Sequence, residues 1–295
     1  MITAHRAAHP DKRALRFVDS DGAVVAEHSF ASLARRVDHL ASGLKTQCAP
    51  GGRVLLMFPA GLSFIEAFLA CLQAGCIAVP LYPPRNARHW QRLEHVLKDA
   101  LAEVFRLDDQ DVMVSWLPHF HDMGLVQGIL LPLSLGCSLT LMAPETFLQR
   151  PRLWLDLLAS DKATCSCAPN FAFDYLTDRI EAKEVSGWDL SAMGGILNGA
   201  EPIRAETLRR FHNHFAASGR KPHVMRPGYG MAETTLLVTD SQFGSLPKVI
   251  TVDAQALSQG QLIPQADGRE LVSVGRAARQ VRLCITAPDG DTPLP

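Results

Sequence analysis

The sequence predicts an α/β fold with largely parallel sheets flanked by helices, followed by part of a small β subdomain. Apolar extended stretches alternate with amphipathic helical stretches from Phe30 to Gly219, which is the pattern of repeated strand-helix units. The extended stretches are continuous apolar runs, as expected of strands that are buried on both faces. Beyond Asp240 the segments become short and are separated by turn residues, which favours antiparallel strands.

The first elements follow from local periodicity and from helix-ending signals. Apolar residues at helical spacing with charges between them predict helices, and short apolar runs predict strands. Gly75 directly follows an apolar helical run, where it suits the C-cap. In chain order the predictions are a helix over 30–45, a strand over 53–58, a helix over 62–75, a strand over 76–82, an amphipathic helix over 89–105 and a strand over 111–117.

The same alternation continues through the second part of the chain. The predictions are a helix from about Met123, a strand over 137–143, a helix over 150–161, a strand over 163–169, a helix over 170–180, a strand over 194–200, a helix over 205–219, and short antiparallel strands within 247–257, 270–275 and 280–290. We therefore divide the chain into an α/β core over residues 1–240 and a partial β subdomain over 241–295.

The composition argues against nucleic-acid-binding and membrane-spanning proteins. The chain has 295 residues, 47% hydrophobic and 20% charged, with a net charge of −1, which is ordinary for a soluble globular protein. The basic residues are scattered, so we expect no nucleic-acid partner. The longest apolar stretch is interrupted by Pro132, Ser134 and Gly136, which predicts no membrane span, and the N-terminus lacks the apolar segment of a signal peptide.

Seven cysteines, most of them within apolar segments, are best explained as reduced, buried thiols of a cytoplasmic protein. Cys165 and Cys167 have the spacing of half a metal site, but no second pair stands at zinc-site spacing. Packing is the favoured interpretation of this pair.

The most informative motif is "GYGMAETT", residues 228–235. Its glycines allow a ligand to approach the backbone closely. Tyr229 offers a flat ring for stacking on a base, Glu233 a hard oxygen for Mg²⁺, and Thr234 and Thr235 hydroxyls for a phosphate. The alternative interpretation is a helix N-terminus with threonine caps, and the motif by itself leaves both open.

Two further motifs follow predicted strands. "LNGAEPI" leaves its strand through the small residues Gly199 and Ala200, and "SWLPHFHDMG" places His121 and Asp122 where a strand gives way to a helix. Ligands of parallel α/β folds bind at the carboxyl ends of strands, so we expect these loops to converge.

A metal hydrolase that uses His119, His121 and Asp122, with a contribution from His212 and His214, is an alternative. His212 and His214 lie on a charged amphipathic helix, and we expect both side chains to face solvent.

These three motifs, in this order, resemble the N-terminal domain of the adenylate-forming superfamily, and more narrowly the fatty acyl-AMP ligases. These ligases load acyl chains onto carrier proteins of polyketide and lipid assembly lines. The resemblance covers most of residues 10–240 and is carried by the segments "RVLLMFPAGLSFIEAFLACLQAGCIAVPLYPPR", "SWLPHFHDMGLVQGILLPLSLGCSLTLMAPETFLQRPRLWL", "APNFAFDYL", "NGAEPIRAETLRRF" and "YGMAETTLLVT".

The resemblance implies roles for individual residues. His121, Glu233 and Thr234 would be catalytic: His121 near the reacting carboxylate, Glu233 holding Mg²⁺ and Thr234 contacting the α-phosphate. Met231 and Ala232 would border the acyl channel. The implied nucleotide-binding residues are Asn198, Gly199, Ala200, Glu201, Pro202, Tyr229, Gly230 and Thr234.

The resemblance also implies ligands and partners. ATP and Mg²⁺ would be needed to convert a fatty acid into an acyl-adenylate. An acyl carrier protein or a polyketide synthase would receive the acyl group.

The sequence departs from the family pattern at two places. Residues 85–114, where the family has its glycine-rich phosphate loop, contain no glycine, which predicts an internal deletion that removes the loop. The chain ends at Pro295, so we expect the family's ribose-binding Asp and its C-terminal domain with the catalytic Lys to be absent. Two hypotheses remain open: fatty acid adenylation, and a non-catalytic form of the fold that binds an acyl or nucleotide ligand or a partner protein.

Overall fold

The structure is a computed structural model that describes residues 2–56, 58–80, 106–234, 236–278 and 281–286. Its strands are β1 (Arg13–Val18), β2 (Val24–Ser29), β3 (Arg53–Leu56), β4 (Ile77–Pro80), β5 (Val112–Ser115), β6 (Ser138–Leu141), β7 (Cys165–Pro169), β8 (Gly195–Gly199), β9 (Met225–Met231), β10 (Leu236–Asp240), β11 (Val249–Val252), β12 (Arg269–Val272) and β13 (Arg276–Ala277).

The helices follow the same chain order. They are α1 (Ile2–Ala8), α2 (Phe30–Gln47), α3 (Leu62–Ala74), α4 (Leu131–Leu135), α5 (Pro144–Gln149), α6 (Arg152–Ser160), α7 (Asn170–Arg179), α8 (Ala205–His214) and α9 (Ala254–Ser258), with a π-helix over Met123–Leu130 that leads directly into α4.

One large sheet dominates the described part of the chain. Its nine strands lie in the order β13-β10-β9-β8-β7-β5-β6-β1-β2. The strands from β9 to β1 in this order are mutually parallel. At the edges, β10 pairs antiparallel with β9, β13 pairs antiparallel with β10, and β2 pairs antiparallel with β1. Helices flank this sheet, so the predicted α/β fold with a largely parallel sheet is confirmed.

Local sequence explains the helix boundaries. Ser29 accepts a hydrogen bond from the Ser32 amide and caps α2, whose buried residues repeat at helical spacing. α3 ends at Gly75, which adopts a left-handed conformation with φ 74°. That conformation is easy for glycine and costly for residues with a Cβ atom, which is why the chain turns there.

The predictions missed some elements. α1, β1 and β2 were not predicted. β3 and β4 were predicted as strands, and they form a parallel pair separate from the large sheet. The predicted helix over 89–105 lies outside the described residues.

The segments beyond Asp240 divide between two sheets. β11 and β12 pair in antiparallel fashion, as predicted, but β13 hydrogen-bonds to β10 of the large sheet. The domain boundary at residue 240 stays a prediction.

An aromatic cluster supports the loop that follows β5. Trp116 stacks on the fully buried Phe147 at 4.0 Å between ring centroids and 6° between planes. Trp154 meets both rings edge-on. Because Trp116 is the residue directly after β5, this packing sets the path of the chain toward His121.

Candidate functional site

A cavity of about 120 Å³ lies at the carboxyl ends of parallel strands in the large sheet. It is bounded by residues from each of the three sequence motifs, which confirms that these loops converge. The lining residues are His121, Asp122, Met123, Leu197, Gly199, Ala200, Gly228, Tyr229, Gly230, Leu236 and Leu237.

His121 and Asp122 form the polar side of the cavity. The Nδ1 atom of His121 lies 2.9 Å from Oδ1 of Asp122, which also accepts the Met123 amide at 2.7 Å. The hydrogen bond to Asp122 raises the pKa of His121 above its ordinary value, although partial burial opposes the shift. The contact with Asp122 therefore increases the proton affinity of His121.

Asp122 is held as a carboxylate by the same contacts. Burial by itself would raise the pKa of Asp122, but the hydrogen bond and charge of His121, with the Met123 amide, lower it overall. From the sequence, Asp122 was placed in the strand-end motif and was given a role only in the metal hypothesis. The signal that could have found its role was its position directly after His121.

The end of β8 brings backbone to the cavity wall. A Cβ atom on Gly199 would lie 3.1 Å from the carbonyl oxygen of Gly228, so the two strands approach closely there. Ala200 has φ 65°, a left-handed conformation that non-glycine residues rarely adopt. Such strain persists only when the surrounding structure holds it in place.

The hairpin of β9 and β10 forms the opposite wall. Gly230 pairs with Leu237, and a Cβ atom on Gly230 would overlap the carbonyl oxygen of Leu236. Tyr229 is 48% exposed and lines the cavity, so its ring is accessible to a ligand. Below the cavity, Arg226 of β9 donates to the buried carboxylate of Asp240 in β10 and ties the hairpin together.

Three residues that the resemblance placed around adenine do not line the cavity. Asn198 is fully buried, and its side chain donates to Asn170 at the start of α7. Glu201 and Pro202 are exposed, and Oε1 of Glu201 accepts the Phe171 amide at 2.5 Å. Successive residues of a strand point to opposite faces, and Leu197 and Gly199 line the cavity. The side chain of Asn198 between them therefore points away from the cavity.

The residues after Tyr229 and Gly230 lie at the rim. Met231, Ala232 and Glu233 are exposed, and the Thr234 hydroxyl donates to the carbonyl of Met231 at 3.0 Å. None of these four residues lines the described cavity. Thr235 lies outside the described residues.

The metal hydrolase hypothesis gains no geometric support. Within the described part of the chain, no three His, Cys, Asp or Glu side chains are grouped so that they could hold a metal ion. His119 instead packs against Phe64 with 4.0 Å between ring centroids, and burial lowers its pKa. His212 is exposed, but the prediction for His214 was wrong, because its Nε2 atom lies 2.8 Å from the Ile180 carbonyl.

The thiols behave as packing residues. Cys165 and Cys167 are free and buried in β7, and burial raises the pKa of Cys167 to about 12. Their spacing places both on one face of the strand, which accounts for the pair without a metal.

The AMP-binding enzyme family matches residues 2–105 and 101–295. The chain belongs to the AMP-binding enzyme family. A relative in this family, the putative fatty-acid–CoA ligase fadD25 of Mycobacterium tuberculosis, is 30% identical over 376 aligned positions, which cover 95% of this chain and 64% of the relative. The chain thus spans about 64% of the length of that relative.

Two solved structures of the family share the fold. The fatty acid AMP ligase from Legionella pneumophila has a TM-score of 0.90 at 29% identity, covering 100% of this chain and 65% of the other. The fatty acyl-adenylate ligase from L. pneumophila in complex with acyl adenylate and pyrophosphate has a TM-score of 0.84 at 29% identity. The match covers 94% of this chain and 63% of the other. The predicted resemblance to fatty acyl-AMP ligases is confirmed.

This chain lacks a segment that a relative contains. The alignment with fadD25 runs over more positions than the 295 residues of this chain, so the relative carries internal residues that this chain lacks. None of the described helices combines the length and the apolar character that crossing a bilayer would require.

Proposed function

We propose that this chain forms the adenylate-binding part of an enzyme that activates fatty acids, converting a fatty acid and ATP into an acyl-adenylate and pyrophosphate. One observation carries the proposal: three motifs that are distant in sequence form one cavity, at the strand ends where ligands of parallel α/β folds bind.

The β9–β10 side of the cavity suits adenine. Tyr229 is accessible for stacking on a base, and Gly228 and Gly230 present backbone without side chains. Stacking of a base on an aromatic ring contributes about 1–3 kcal/mol. Gly199 and Ala200 form the facing wall, where the absent side chain of Gly199 and the single methyl group of Ala200 leave room for a planar ring.

The His121 side of the cavity suits the reacting groups. In the proposed step a carboxylate oxygen of the fatty acid forms a bond to the α-phosphorus of ATP, and the bond from that phosphorus to the pyrophosphate oxygen breaks. Both substrates are anionic, so charge neutralisation and positioning are the main tasks. His121 is held in place by Asp122, whose hydrogen bond raises the pKa of the imidazole. The ring supplies a hydrogen-bond donor at this point, and a positive charge when it is protonated.

Glu233 is suited to holding Mg²⁺. The magnesium ion is commonly bound through one or two protein carboxylates and the phosphates of the substrate, without a full protein cage. The exposed carboxylate of Glu233 at the rim fits that mode, with Thr234 beside it for the α-phosphate. When bound, the ion would neutralise charge on the phosphates.

An acyl chain is the substrate class that the resemblance implies, and part of the cavity wall is apolar, as an acyl chain requires. Met123, Leu197, Leu236 and Leu237 contribute to the cavity, and Met231 is exposed at its rim. By resemblance, the acyl group of the acyl-adenylate would pass to an acyl carrier protein or a polyketide synthase in the cytoplasm, with release of AMP.

Ligand binding without turnover is the second candidate function. It is favoured by residues 85–114, which contain no glycine and so cannot supply a glycine-rich phosphate loop. The two parts of the family match meet at residues 101–105, inside this stretch, which supports a deletion there.

Calorimetry with a non-hydrolysable lauroyl-adenylate analogue and Mg²⁺ tests the shared part of both candidates. We expect the wild type to bind, Tyr229→Phe to retain affinity, and Tyr229→Ala to weaken it about 5- to 150-fold, the equivalent of the stacking contribution. Equal affinity of Tyr229→Ala and the wild type would contradict the adenine assignment. ATP–pyrophosphate exchange then separates the candidates, because only adenylation incorporates pyrophosphate into ATP.

A further inference from the structure

Asn170, the first residue of α7, contacts both ends of the loop that connects β8 to α8. It is 1% exposed. Its Oδ1 atom accepts the side-chain amide of Asn198 at 3.4 Å and the backbone amide of Arg204 at 3.3 Å. These two donors flank residues 199–203, so one buried oxygen holds together the start and the end of that segment.

The neighbouring residue of α7 provides a second attachment. The Phe171 amide donates to Oε1 of Glu201 at 2.5 Å. Glu201 directly follows Ala200, the residue with φ 65° that lines the cavity. A strained residue keeps such a conformation only when its surroundings hold it, and the first turn of α7 supplies these contacts.

The orientation of the Asn170 amide follows from a hydrogen-bond chain behind it. Nδ2 of Asn170 donates to Oγ1 of Thr207 at 3.2 Å, and that hydroxyl donates to Oδ2 of Asp174 at 2.7 Å. Since the Thr207 proton is committed to Asp174, Thr207 can only accept from Asn170. The carbonyl oxygen of Asn170 must therefore face Asn198 and Arg204.

Asp174 anchors this chain of hydrogen bonds. Arg204 and Arg210 both form ion pairs with its carboxylate, at 2.6 Å and 3.1 Å. The network therefore joins α7, α8 and the loop between β8 and α8.

We propose that Asn170 is a positioning residue that holds the Gly199–Ala200 wall of the cavity in its ligand-binding conformation, with Glu201 as a second anchor of the same loop. The nucleotide role of this wall rests on the proposed function. The hydrogen-bonding role of Asn170 does not, and it can be measured in the ligand-free protein.

Hydrogen exchange measured by NMR on Asn170→Leu tests the proposal. The Arg204 amide loses its buried acceptor in this variant, so we expect its exchange to become about tenfold faster or more. Amides of β6 serve as the internal reference, and the change at Arg204 should exceed any change there. Ser134→Ala, which removes a buried hydrogen bond to Leu131 within α4, serves as the control and leaves Arg204 protection unchanged. Equal loss of protection at Arg204 and β6 in Asn170→Leu would show global destabilisation and overturn the proposal.

A second pair of variants at the exposed Glu201 keeps the test valid should Asn170→Leu fail to fold. Glu201→Gln retains a side-chain oxygen that can accept the Phe171 amide, whereas Glu201→Leu does not. We expect Phe171 protection to survive in the first variant and fall in the second. The same exchange rate in both would refute the anchor.

Ligand binding separates this inference from the proposed function. If the wild type binds the lauroyl-adenylate analogue, we expect Asn170→Leu to bind it about tenfold more weakly or worse. Unchanged affinity in that variant would overturn the positioning role. Failure of the wild type to bind would refute the proposed function, and the exchange result would still decide whether Asn170 holds the loop.

Discussion

Replacing Gly230 with alanine tests whether the close approach of β9 and β10 shapes the cavity. The added methyl group would overlap the backbone carbonyl of Leu236, and Gly230 pairs directly with Leu237. A backbone atom cannot rotate away as a side chain can, so the two strands must separate. Overpacking costs about 1–3 kcal/mol, and a disturbed backbone hydrogen bond adds about 1 kcal/mol, so we expect about 2–4 kcal/mol of lost stability.

Gly43→Ala is the matched control, since it adds the same methyl group to the interior of α2 with no atom within 4 Å. Alanine is favoured over glycine inside a helix by about 0.5–1 kcal/mol, so this variant should gain stability. Urea unfolding followed by circular dichroism measures both variants. A loss below about 1 kcal/mol in Gly230→Ala, at an unchanged m-value, would refute the argument from strand contact.

Three other changes probe the site and its support. Asp122→Asn replaces the carboxylate that raises the pKa of His121 with a neutral amide, which weakens the hydrogen bond and removes the charge, so an NMR titration should show that pKa fall. In the wild type the raised pKa contributes stability below the ordinary value of 6.5, and this contribution is lost as the pH rises through the folded value. An unchanged His121 titration would contradict the pairing. Phe147→Ala removes a fully buried ring from the aromatic cluster and should cost about 3–5 kcal/mol in urea unfolding. A cost near zero would mean that the ring is not packed as described. The buried Cys167 thiol, with its pKa raised to about 12, should react with a disulfide reagent only after unfolding, whereas the exposed Cys284 should react in the native protein. Mass spectrometry locates the labelled cysteines, and labelling of Cys167 in the native protein would disprove its burial.

Local sequence signals were sufficient for much of the fold. α2 and α3 have strong helical periodicity, and Gly75 marks the end of α3. Both helices were predicted with the observed first residue and with a last residue within two positions of the observed one. β1 and β2 were missed because residues 13–29 mix charged and apolar residues without a clear period. β1 depends on pairing with β6, which lies far away in the sequence, and β2 pairs in turn with β1.

The candidate site was also predicted only in part from local sequence. His121, Gly199, Ala200, Tyr229 and Gly230 were predicted from their motifs and line the cavity. The motifs did not distinguish these residues from their immediate neighbours, because the direction of each side chain depends on the strand that carries it.

By itself, the sequence determined most of the alternation of helices and strands after Phe30 and the three motifs at strand ends, because periodicity, glycines and chain turns are local properties. Only the tertiary structure decided which motif residues face the cavity and which turn away. It directs Asn198 toward Asn170, orients His121 through Asp122, and attaches Glu201 to the start of α7. Most of these contacts join residues far apart in the chain, and their geometry exists only once the strands have assembled.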